Sequence, residues 1–158
     1  MKLQGPEVPE SFTGNGHSIP HWAWGFLGII LGRLKKYVDK KLPLTGLTHD
    51  YEYHICRGMK GFLRKLKRVV FEVEAAEKLD AEITKRRKHA DLNYKANVDI
   101  EGKTNGIPWA VRFVLKRRCF GALRRWGWTA IEGEGHPENA EALKELIEAL
   151  EKEHETGV

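Results

Sequence analysis

Residues 48–54 read Thr-His-Asp-Tyr-Glu-Tyr-His. Set on a helix, His49 and Tyr53 are four apart and Asp50 and Tyr53 three apart, so each pair shares a face. Asp50 is rotated by about 100° from His49, and the two side chains aim at different targets. That geometry suits a division of labour. An imidazole works as a general base near neutral pH without much tuning. A carboxylate is the expected hard-oxygen ligand for calcium. An imidazole base also needs a group to orient its other nitrogen. Asp80, in the stretch Glu-Ala-Ala-Glu-Lys-Leu-Asp, borders the core-like Leu79 and Ile83 and is the expected orienter. The alternative is a buried polar network that only pins two helices together, since structural networks imitate sites.

These residues need elements to hold them. Residues 1–20 are punctuated by Gly5, Pro6, Pro9, Gly14, Gly16 and Pro20 and read as irregular. The longest apolar run, Trp22 to Leu31, reads as a core helix, with an interfacial segment as the alternative; spanning a bilayer takes about 20 residues. Pro43 starts the next helix, with Leu44, Leu47, Tyr51 and Ile55 as its apolar face and Gly58 as its stop. A longer helix is expected from about Lys60 to about Asn93, with Leu63, Leu66, Val70, Val73, Ala76, Leu79 and Ile83 as its buried stripe. Residues 97–107 read as a short hairpin or a plain loop around Gly-Lys-Thr-Asn-Gly. Pro108 opens a helix rich in arginine. A last helix follows Pro137, with Leu143, Leu146, Ile147 and Leu150 as its stripe. The fold class is mainly α: a small helical domain with two antiparallel core helices and a short β-hairpin or loop.

Charge and cysteine narrow the setting. The chain of 158 residues carries a net charge of +5. From Pro137 onward there are seven Glu against two Lys, about −5, which leaves about +10 on residues 1–136. A basic body favours anionic partners: a phospholipid surface, an acidic virion or host protein, or nucleic acid. No nucleic-acid motif of fixed spacing is present, so Arg-Lys-Leu-Lys-Arg and Lys-Arg-Arg-Lys read first as solvated faces. Trp126 and Trp128, beside Arg124 and Arg125, could anchor at a membrane surface or pack over the core edge. Cys56 and Cys119 lack Cys-x-x-Cys spacing, which fits a reducing compartment, and no signal-peptide core is seen near the start.

His-Asp-x-x-Tyr on one helix, followed by an Asp on the next, resembles secretory phospholipase A2. By matching position, the resemblance implies His49 as the residue that activates water, Asp50 as a calcium ligand, Asp80 as the orienter and Tyr53 as a support. The carbonyls of Gly14 and Gly16 would complete the calcium loop. Over about residues 13–128 the chain also looks like a small family of uncharacterised phage and prophage proteins. Those share a Ser-Ile-Pro-x-x-x-Trp segment and a His-Asp-x-x-Tyr helix in this order. This implies a viral setting, in host cytoplasm or virion, with residues 1–136 as a phage-type phospholipase A2-like domain and 137–158 as an acidic amphipathic helix. The implied activity is hydrolysis of phospholipid acyl esters. The alternative is a non-enzymatic virion or accessory protein that binds a partner through its acidic helix or basic face. His17, His21 and His49 with Asp50 and Asp80 or Asp91 also resemble the scattered ligands of histidine–aspartate phosphohydrolases.

Overall fold

The structure, a computed structural model, describes residues 2–14, 36–69, 72–132 and 137–156. It is mainly helical. Helix α1 spans Pro43–Leu66, α2 spans Val73–Thr104, α3 spans Trp109–Glu132, and α4 spans Ala140–Thr156 after a 3-10 turn at Pro137–Asn139. Residues 36–41 are helical and lead into α1. No strand occurs among the described residues. Gly16, Asn15, His17, His21, Val70 and the run from Trp22 to Leu31 lie outside them.

Helices α1 and α2 form the frame. Contacts between them join Thr45 to Glu101, Glu52 to Asn93, Tyr53 to Asp91 and Lys60 to Asp80. Numbers rise on one helix as they fall on the other, so the pair is antiparallel. The chain leaves α1 only after Leu66 and enters α2 at Val73, later than the sequence suggests. Leu63 and Leu66 therefore belong to α1, and Val73 at the start of α2 is exposed.

Two expected features are replaced. Gly58 does not stop α1; it is buried in mid-helix, and a Cβ there would lie 2.8 Å from Leu146 Cγ on α4. The glycine gives α4 room to approach. The hairpin at 97–107 is absent too, because Val98 packs into the core beside Tyr94 and Leu115 and keeps α2 helical as far as Thr104. Only Asn105 to Ile107 turn. Gly106 takes the left-handed φ of +69°, as is common just past a helix end, and the Ile107 amide donates back to the Gly102 carbonyl at 2.7 Å.

The start of α1 has no side-chain cap of its own. Glu101 of α2 supplies one: its carboxylate accepts the Leu44 amide at 3.1 Å and the Thr45 amide at 2.7 Å. A carboxylate at a helix N-terminus satisfies orphan donors and complements the dipole.

The apolar core has two large parts. One joins Val38, Leu42, Tyr94, Val98, Ile107, Leu115, Cys119 and Leu123. The other joins Met59, Phe62, Leu63, Leu66, Ala76 and Ile83, with Ile147 and Leu150 of α4 against it. The amphipathic pattern of α4 thus lands on α1 as its stripe predicts. Two asparagines tie down the N-terminal segment. Asn97 exchanges two hydrogen bonds with the Gln4 backbone, and Asn139 two with the Thr13 backbone. Each amide takes the place of a strand partner.

Candidate functional site

Between the two apolar clusters, α1 turns a polar stripe inward. Thr45, Thr48, His49, Asp50, Tyr53 and Cys56 are buried. Leu44 is exposed, and Leu47, Tyr51 and Ile55 are only half-buried. The face that apolar spacing picks out is therefore not the main buried one. Polar groups taken from water cost free energy unless they find partners, so the partners matter.

Asp91 on α2 is the centre of the arrangement. It is fully buried, and Tyr53 donates its phenol hydrogen to Asp91 Oδ1 at 2.7 Å. His49 Nε2 stands 3.5 Å from the same oxygen, and Arg124 Nη1 of α3 lies 3.3 Å from Oδ2. His49 is 1% exposed. Its ring packs against Tyr53 at 4.2 Å and Tyr94 at 5.2 Å between centroids. Among the described residues neither ring nitrogen makes a hydrogen bond, and both are buried. On α3, Gly127 lets the Tyr53 ring approach; a methyl there would overlap the phenol oxygen.

Asp80 does not hold the role that its position in the sequence suggests. Its carboxylate pairs with Lys60 at 3.2 Å, and its side chain is 46% exposed. The carboxylate beside His49 is that of Asp91, eleven residues further along α2. The missed signal is the turn. Reflecting position 49 through the midpoint between Leu66 and Val73 leads to position 90, next to Asp91.

Asp50 is buried, and Gly14 lies against it: a Cβ on Gly14 would stand 3.1 Å from Asp50 Oδ2. The pairing of Asp50 with an upstream glycine is thus present for Gly14, while Gly16 lies outside the described residues. Arg57 also bears on this carboxylate. Burial lowers the Arg57 pKa, and the Asp50 charge opposes that shift. Calcium takes six to eight oxygens. Among the described residues no three His, Cys, Asp or Glu side chains converge. The donors described do not fit calcium by themselves.

The surrounding groups are tuned by burial. Desolvation, with Asp91 adding to it, pushes the Tyr53 phenol well above its usual value, so Tyr53 stays a donor. Burial raises the Cys56 thiol to about 12, which leaves it an inert core thiol. Glu52 has its carboxyl raised by burial, against a lowering hydrogen bond from Asn93 at 2.6 Å. Arg87, one turn before Asp91, is buried with its guanidinium 4.7 Å from the Trp128 ring. The Lys-Arg-Arg-Lys run that reads as a solvated face thus buries one of its arginines.

No family model, curated protein or solved structure matches the chain. The cluster must therefore be judged by its own chemistry. It holds an imidazole 3.5 Å from a buried carboxylate, a phenol that donates to that carboxylate, and two ring nitrogens that make no hydrogen bond among the described residues.

Proposed function

We propose that this protein hydrolyses acyl esters, with phospholipid as the substrate class and the His49–Asp91 pair as the general base. One observation carries the reading: the buried Asp91 carboxylate stands 3.5 Å from His49 Nε2, and neither imidazole nitrogen is committed to a hydrogen bond among the described residues. A base needs one nitrogen held by an acid and the other turned to water; tightening of the Asp91 contact and entry of a water to the buried Nδ1 would supply both. His49 Nδ1 would take a proton from water as the water oxygen attacks the ester carbonyl carbon. The buried Asp91 charge would stabilise the imidazolium. The proton would then pass to the departing alkoxide as the acyl–oxygen bond breaks, which leaves a free acid and an alcohol. Tyr53 would act as a positioning residue by fixing Asp91. The likeness to phospholipase A2 noted above supports the substrate class. The phage setting rests on the motif order alone.

The depth of the cluster favours a second reading. With His49 at 1% exposure and Asp91 at 0%, the network could serve only to pin α1, α2 and α3 together. One experiment separates the two. Hydrolysis of mixed phosphatidylcholine micelles is followed with the full chain, with calcium and with a chelator. His49→Gln and Asp91→Asn are run beside it, and folding is checked by circular dichroism. The hydrolytic reading expects the wild type to turn over and each variant to lose about 10²–10⁴-fold while remaining folded. No turnover by the wild type in either condition, or full turnover by His49→Gln, ends it.

A further inference from the structure

We propose that the outer face of α3 is a docking surface for an anionic lipid bilayer. Trp109 is 70% exposed, Phe113 48% and Val114 50%. The Trp109 and Phe113 rings stack at 5.8 Å, so the aromatic pair is held together in the open. At 100° per residue, Trp109, Phe113, Arg117, Val114 and Arg118 fall within about half of the helix circumference. Leu115, Cys119 and Leu123 occupy the opposite half and are buried in the core. The exposed half is thus set by the fold.

Charge chooses the occupant. From Trp109 to Ile131 the helix has no acidic residue. Arg112 and Lys116 are bound to Asp99 of α2. Arg117 and Arg118 are exposed and make no ion pair among the described residues. A surface with aromatic rings at one end and unpaired arginines beside them matches the apolar–anionic boundary of a bilayer. The rings enter the headgroup layer and the guanidiniums meet phosphates. A two-fold pairing of this face with itself would set arginine against arginine, which opposes a dimer there. The described helices include none long and apolar enough to cross a membrane, so the contact would lie on the surface.

This inference stands apart from the hydrolytic reading, because lipid binding can be measured without turnover. The full chain is sedimented with phosphatidylcholine vesicles containing 30% phosphatidylglycerol, and with pure phosphatidylcholine. Duplex DNA binding and sedimentation velocity are measured in parallel. His49→Gln is included so that loss of catalysis and loss of binding are read separately. The expected result is preferential binding to the anionic vesicles that falls with salt and is unchanged in His49→Gln. At roughly fivefold per basic residue, Arg117→Gln with Arg118→Gln should weaken it about 30-fold. Trp109→Ser with Phe113→Ser should weaken it at least tenfold. Equal binding to both vesicle types, full binding by either double variant, tighter binding to DNA than to vesicles, or dimerisation lost in the double variants would each overturn the proposal.

Discussion

Replacing Asp91 by alanine tests whether the cluster is organised as described. Three neighbours lose their partner at once. Tyr53 is left with a buried phenol and no acceptor, which costs about 1–3 kcal/mol. His49 loses the carboxylate 3.5 Å from Nε2, a contact too long for a hydrogen bond and worth about 0.5 kcal/mol. Arg124 has a side chain 38% exposed and turns to solvent, for about 0.5 kcal/mol. The total is about 3 kcal/mol, at the low end for removing one member of a buried charged cluster. For a chain of this size, about 2–4 °C of melting temperature goes with each kcal/mol, so a fall of about 6–12 °C is expected. Asp80→Ala is the matched control. It breaks one half-exposed pair with Lys60, worth about 0–1 kcal/mol, and should shift the midpoint by no more than about 4 °C. Thermal and urea unfolding followed by circular dichroism read both. If Asp80→Ala costs as much as Asp91→Ala, the placement of Asp91 at the centre is wrong. Should the alanine variant fail to fold, Asp91→Asn keeps the shape and should lose about half as much.

Removing the Glu101 carboxylate with Glu101→Ala strands two amides at the start of α1 and should cost about 2–3 kcal/mol in urea unfolding, with Glu101→Gln in between. Gly58→Ala should destabilise although alanine is the better helix former, because its methyl meets Leu146. Gly121→Ala has open space and should stabilise by about 0.5–1 kcal/mol; opposite signs in thermal melts check both. Because the Glu52 carboxyl is raised in the folded state, its protonated form favours folding. That contribution is complete below the ordinary carboxylate range and is lost as pH climbs through the raised value. Glu52→Gln should therefore gain stability relative to wild type as pH rises from 4 to 8, and a flat difference in urea midpoints over that range would refute the assignment.

Elements were legible where burial follows hydrophobicity. The stripe of α4, with Ile147 and Leu150 against the core, is what a period near 3.6 announces. The start of α1 at Pro43 is equally plain. Other features depend on contacts far away in the chain. Gly58 reads as a helix stop until Leu146 is seen to need its missing side chain. Between α1 and α2 the sequence carries neither Gly nor Pro to mark the break, and Val98 and Ile100 resemble a strand until Val98 meets Leu115. The site shows both cases. His49 and Tyr53 stood out by type and spacing on one helix. Their carboxylate partner did not, because Asp80 is picked out by its place beside Leu79 and Ile83, whereas the partner is set by the antiparallel register, which follows from α1 running on to Leu66.

The Asn139 amide that grips Thr13 belongs to the short turn from which α4 departs. The next residue, Gly14, rests on Asp50. The far end of the chain is therefore wired to the loop flanking the cluster. Lifting α4 away from Gly58 and Gly61 would slacken that loop as well, and amide exchange at residues 12–14 should quicken in step with exchange along α4.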